Sequence, residues 1–300
     1  MIARKRLREA DVLLEIFIFA NFAFLSLDIY VAHSINRFRH WAEWIPFVFS
    51  IAAALALLPG VIRSLGRGEH WQPSPVGSAV GTLAILVGIA GMFWHLDSHF
   101  FSYQTIRNLV YAAPFAAPLA YAGLGFLLLA NRMLERRSTE WARWVLFFAL
   151  GGFVGNFILS LLDHAQNGFF VTSEWIPVVA SALAIGTLAV ALAKPHDRGY
   201  LPFVGLVLAL QIVVGVVGFA LHFAADLRGP GGMRENFLYG APIFSPLLFP
   251  NLALLAGIAV LVLTDTELDV GLPPRDAHDG DVKPEEARQR HEEDEGDPGR

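Results

Sequence analysis

Between Val12 and Leu263 the chain is a succession of apolar stretches, each about as long as a bilayer is thick, and that length confines what it can fold into. About 20 apolar residues wound as a helix cross the roughly 30 Å of hydrocarbon in a membrane. Lipid offers no partner to a backbone amide or carbonyl, so a crossing segment must satisfy both internally, as a helix does. Eight stretches qualify: 12–33, 44–65, 77–98, 109–131, 144–163, 175–193, 200–223 and 239–263. Every break between them carries charge, proline or glycine. Pro46 and Pro59 trim the second stretch. The expected fold is an all-α integral membrane protein of about eight transmembrane helices.

The first stretch follows a basic segment, MIARKRLREAD, as a secretory signal would. It is too long for a signal core of about 7–15 residues, and no small-residue cleavage pattern interrupts it. It reads as a retained span.

Only 16% of residues are charged, against about 25% in ordinary soluble domains. The shortfall is uneven, because Thr264–Arg300 is acidic and almost without large apolar residues. That segment cannot bury a core and reads as a disordered acidic tail.

Lysine and arginine counts in short loops set orientation. The side holding the N-terminus carries 12: Arg4, Lys5, Arg6, Arg8, Arg63, Arg67, Arg132, Arg136, Arg137, Arg143, Lys194 and Arg198. The other side carries 5: Arg37, Arg39, Arg107, Arg228 and Arg234. Both termini are therefore expected in the cytoplasm, with the chain multi-pass in the cell (plasma or inner) membrane. Trp41, Trp44, Trp71, Trp94, Trp141, Trp144 and Trp175 all fall at span ends, where an amphipathic indole suits the lipid interface.

The chain also repeats itself. HSINRFRHWAEWIPFVFS (33–50) and HAQNGFFVTSEWIPVVAS (164–181) agree at 9 of 18 positions. NLVYAAPFAAPL (108–119) and NFLYGAPIFSPL (236–247) agree at 6 of 12. VGIAGMFWH (87–95) lies over VGVVGFALH (214–222), and Asn21 and Asp28 match Asn156 and Asp163 with a shift of one helical turn. The expected organisation is a basic N-terminus (1–11), a four-helix repeat (12–131), a cytoplasmic linker (132–143), a second four-helix repeat (144–263) and the tail (264–300). An even number of spans per repeat makes the two repeats parallel, with a pseudo-two-fold axis along the membrane normal.

The repeat places four histidines equivalently. His33, His95, His164 and His222 each end an odd-numbered span, so all are expected near the non-cytoplasmic face. Carboxylates accompany them: Asp28, Asp97, Asp163 and Asp226, with Glu43 and Glu174 opening the following spans in an E-W-I-P sequence. His95 and His99 share a helix face, as do His222 and Asp226. Ionisable groups at membrane depth are costly, which marks them as functional candidates. Neutral imidazole ligates zinc, copper, iron and haem iron, and carboxylates ligate or orient the histidines. The candidate cofactor-binding residues are thus His33, His95, His164 and His222. A metal site would draw on these with His99, Asp97, Asp163 and Asp226, and could be redox-active. The bland alternative is that the histidines only bond loop backbone and headgroups. Likewise Glu43 and Glu174 are explained by a helix start, where an acid meets the helix dipole.

The double prolines Pro114/Pro118 and Pro242/Pro246 are expected to unwind the starts of the fourth and eighth spans. The carbonyls so freed are tolerated only against protein or a wet cavity. Gly151-x-x-x-Gly155 reads as close helix packing, and Asn21, Asn156, Gln211 and Asn251 as polar glue between helices.

With no cysteine, disulfides, thiolate metal sites and a cysteine nucleophile are excluded. The phosphate-binding loop, nucleophile-elbow and H-E-x-x-H motifs are missing, and no basic footprint supports nucleic acid as a partner. Two other classes stay open: a transporter or channel using an inter-repeat cavity, and a non-catalytic subunit or assembly factor of a membrane complex. The partners implied are the lipid bilayer and, in that last reading, other membrane subunits.

Overall fold

The structure, a computed structural model, describes residues 2–67, 75–135, 138–195, 197 and 199–270. Residues up to Thr266 form one compact unit. The described residues are helical: α1 (Ile2–Ser34), α2 (Trp44–Arg67), α3 (Pro75–Asp97), α4 (Ile106–Tyr111), α5 (Leu119–Met133), α6 (Thr139–Gln166), α7 (Trp175–Ala193), α8 (Leu201–Arg228), α9 (Met233–Tyr239) and α10 (Leu248–Val270). Single 3-10 turns, Trp41–Glu43, Thr172–Glu174 and Ser245–Leu247, lead into α2, α7 and α10.

Among the described residues, seven helical segments are long and apolar enough to cross a membrane. By length and composition the chain is thus a multi-pass helical membrane protein. Large apolar side chains such as Leu55, Val179 and Leu206 point outward along these helices, as a lipid-facing surface requires. The core is a single cluster in which all of α1, α2, α3, α5, α6, α7, α8 and α10 take part, with Leu14, Phe22, Leu128, Phe153, Leu188, Val204 and Ala256 near its centre.

The expected fourth span, 109–131, is not one helix. It is broken between Ala112 and Pro118, leaving α4 with 6 residues and α5 with 15, too short to be counted with the seven. The eighth, 239–263, breaks in the same way between Gly240 and Phe244. Proline lacks an amide hydrogen and crowds the preceding turn, so a closely spaced pair stops the helix on both occasions. In contrast, α2 runs through Pro59. Pro46 sits in its first turn, where no donor is needed.

Other boundaries move outward. α1 starts at Ile2 rather than 12, α6 at Thr139 inside the expected linker, and α10 continues to Val270 into the expected tail. The rest of that tail, 271–300, lies outside the described residues, as do Trp71, Arg136, Arg137 and Arg198.

Glycines permit the closest approaches. A Cβ on Gly88 of α3 would lie 2.6 Å from the Ala122 amide nitrogen and 2.9 Å from the Pro118 carbonyl oxygen. A Cβ on Gly215 of α8 would lie 2.7 Å from the Pro246 oxygen and would overlap Pro250. Thus α3 lies against α5, and α8 against the start of α10, with no room for a side chain. Gly151 and Gly155 differ from expectation: space beside both is open. The close packing in α6 falls instead on Gly152, against Leu252.

Both α1 and α6 end in a Schellman turn. The amide of Phe38 donates to the His33 carbonyl (3.3 Å) and that of Arg37 to Ser34 (3.0 Å); Phe169 donates to His164 (3.1 Å) and Gly168 to Ala165 (3.1 Å). The residue after the cap must adopt left-handed backbone, which favours glycine. Gly168 has φ 73°, whereas Arg37 sits there with φ 56°, a conformation that costs a residue with a Cβ roughly 1 kcal/mol.

Candidate functional site

The four histidines lie where α1, α3, α6 and α8 finish. They do not converge into one cluster. His33 and His95 face each other with ring centroids 6.1 Å apart and planes at 63°, and Glu43 lies within electrostatic reach of His95. His164 in turn has His222 and Glu174 within electrostatic reach. Each half of the chain therefore carries a pair of imidazoles with one glutamate nearby. Among the described residues, no three histidine or acidic side chains are gathered closely enough to hold a metal ion by themselves.

The broken helices account for the orientation of two of these rings. His95 Nδ1 lies 3.0 Å from the carbonyl oxygen of Pro114, and His222 Nδ1 lies 3.0 Å from that of Pro242. These carbonyls belong to the unwound segments before α5 and α10. Each also accepts a backbone amide, Ala117 onto Pro114 (3.0 Å) and Ser245 onto Pro242 (3.1 Å). A carbonyl only accepts, so the facing nitrogen must carry the hydrogen. The neutral ring then keeps its lone pair on Nε2. A backbone carbonyl fixing one ring nitrogen while the other stays available is also the arrangement that orients metal-ligating histidines.

The acidic residues divide. Asp226 is buried, and its Oδ1 accepts the Ala241 amide (2.8 Å), so it ties α8 to the break before α10. Ser98 does the same for α3, accepting the Ala113 amide (3.0 Å). The other Asp226 oxygen is buried without a hydrogen bond, as is one oxygen each of Glu43 and Glu174. Asp97, the last residue of α3, and His99 beyond it are exposed, whereas Asp28 and Asp163 are half-buried within α1 and α6.

Phe38 and Phe169, which close the Schellman turns, lean on His33 and His164 (centroids 5.9 and 6.1 Å). They also pack on Trp44 and Trp175 (4.5 and 4.1 Å). These aromatics hold the E-W-I-P turns against the histidine-bearing helix ends. Beside the first of them is an open cleft of about 430 Å³ lined by Ile35, Asn36, Arg37, Arg39, His40, Glu43 and Tyr239.

A second polar centre, at the other end of α1, escaped the sequence reading. Glu15 of α1, only 4% exposed, is paired with Arg132 at the end of α5. Asn131 Nδ2 donates to the same carboxylate (2.7 Å), and Trp141 Nε1 donates to Asn131 Oδ1 (2.9 Å). Trp141 is therefore fully buried and not an interface anchor, unlike Trp41, Trp44, Trp94, Trp144 and Trp175, which are exposed. Arg132 is a buried partner and not a loop charge. The available signals were a carboxylate inside the apolar LLEIFIF run and an Asn-Arg pair closing LLLANRM.

Two further polar groups lie in the core. The hydroxyls of Ser50 and Tyr121 meet beside the Pro46 carbonyl. Gln211 is fully buried, and neither amide atom has a hydrogen bond.

The chain matches no known protein family, no curated protein and no solved structure.

Proposed function

We propose that this multi-pass membrane protein is built from two parallel four-helix repeats and holds one imidazole–carboxylate ligand site in each, at the end of the bundle away from the termini. The sites are His33 and His95 with Glu43, and His164 and His222 with Glu174. Their ligand is a transition metal (copper, iron or zinc) or haem, and with iron or copper the sites are redox-active. Both termini lie in the cytoplasm, on the more basic side, so the sites face outward.

The observation that carries this reading is the pair of bonds from His95 Nδ1 to Pro114 and from His222 Nδ1 to Pro242, both 3.0 Å. They leave Nε2 of each ring as the free donor atom beside a second imidazole. The two imidazoles of a pair could supply part of a coordination sphere, and a glutamate with one unpartnered buried oxygen lies within electrostatic reach of each pair. The remaining positions stay open to water or substrate, which suits a reactive centre better than a closed structural site. The matching element order and the matching glycine–proline contacts of α3 with α5 and of α8 with α10 support the duplicated architecture.

The test is elemental analysis together with an absorption spectrum of full-length protein purified in mild detergent. Bound metal or haem is expected, with half of it lost in His95→Ala and nearly all in the His95→Ala, His222→Ala double variant. Clean protein containing neither, even after incubation with each metal or with haemin, overturns the proposal and leaves the histidines as caps on broken helices.

A further inference from the structure

The cleft beside the first E-W-I-P turn differs from everything at the corresponding place in the second half of the chain. Arg37, Arg39 and His40 line it, with Asn36 and Tyr239 completing the polar wall. In the aligned segment these three positions are Gly168, Phe170 and Val171. Both arginines are exposed, and neither guanidinium has a hydrogen bond or ion pair. Arg37 also occupies the left-handed position of a Schellman turn, where the other turn uses glycine. Glycine would suit that backbone better, so the turn itself does not call for a guanidinium there.

Glu43 also borders the cleft and opposes an anion, but two arginines outweigh it. Its unpartnered oxygen is matched by that of Glu174, whose segment has no arginines at the aligned positions, so that feature belongs to the histidine pairs. His40 Nδ1 accepts the Ala42 amide (3.3 Å), so the ring hydrogen is on Nε2, which can donate.

We infer that this cleft binds a phosphate group, with Arg37 and Arg39 as the paired cations and Asn36 and Tyr239 as neutral donors. Guanidinium forks match phosphate oxygens bidentately. A site where the spans end lies at headgroup depth, and the volume exceeds that of a bare phosphate. The group can therefore come from a phospholipid headgroup or from a soluble phosphate ester. This inference is independent of any metal at the histidines.

The experiment uses full-length protein in mild detergent at low ionic strength. Inorganic phosphate is titrated calorimetrically, and retention of phosphatidylglycerol against phosphatidylcholine is read by native mass spectrometry. Wild type is expected to bind at least one of phosphate and phosphatidylglycerol, with Arg37→Gly and Arg39→Gln each weakening it at least tenfold. Arg37→Gly should melt no lower than wild type, because glycine suits the turn, so it reports on binding even if Arg39→Gln misfolds. Lipid retention without phosphate binding assigns a headgroup, and the reverse assigns a soluble ester. Binding of neither probe, or equal binding by wild type and Arg37→Gly, overturns the inference.

Discussion

Asn21 and Asn251, 230 residues apart in the chain, exchange two amide hydrogen bonds of 3.1 and 2.7 Å and so join α1 to α10. They are the polar glue expected of asparagines at this depth. Such bonds inside membrane bundles contribute about 0.6–1.7 kcal/mol. Asn251→Leu should destabilise the protein by about 1 kcal/mol in a reversible unfolding assay in bicelles, by the same principle. The double change with Asn21→Leu should cost little more than either single one, because each amide is the other's partner. Strictly additive costs would count against a coupled pair.

The Glu15–Arg132 pair should behave differently. Removing one member leaves a buried, uncompensated charge, whereas replacing both by apolar residues does not. Arg132→Met is expected to cost about 3–5 kcal/mol, and Glu15→Leu with Arg132→Met markedly less, on that principle. A double variant as unstable as the single one would show that packing, not charge, holds α5 to α1.

Gly88→Ala and Gly215→Ala each force a methyl group onto neighbouring backbone. Overpacking of this kind typically costs about 1–3 kcal/mol. Gly151→Ala meets open space and should stay within about 0.5 kcal/mol of wild type, as surface changes do. Thermal melts of the three variants, side by side, separate the two environments.

His95→Leu removes one of two donors from the Pro114 carbonyl and should cost about 1 kcal/mol, while His95→Gln, which can still donate, should recover part of it. Bound metal or haem, by contrast, should fall equally with Leu and Gln. Recovery of both properties in His95→Gln would reduce the ring to a hydrogen-bond donor.

The spans were legible because apolar length alone decides whether a helix can cross a bilayer, and seven of the expected eight survive as such. The break before α5 followed from Pro114 and Pro118, although not the shortness of what remains. Lateral placement was not legible. Equivalent depth put His33, His95, His164 and His222 in one expected set, but depth says nothing about distance within the membrane plane: His33 meets His95, and His164 has only His222 of the four within electrostatic reach. Trp141 and Arg132 sit at a span end in sequence, and only neighbours on other helices, Asn131 of α5 for Trp141 and Glu15 of α1 for Arg132, turn them inward. Glu15 had no sequence sign of a partner 117 residues away.

α5 is short beside the seven long helices, and about half of its residues are buried against α3, α6 and α1. Its 15 residues rise about 22 Å, several ångströms less than ordinary bilayer hydrocarbon. A crossing at that place has to be completed by the unwound segment before α5, whose carbonyls must then find partners in protein or water rather than lipid.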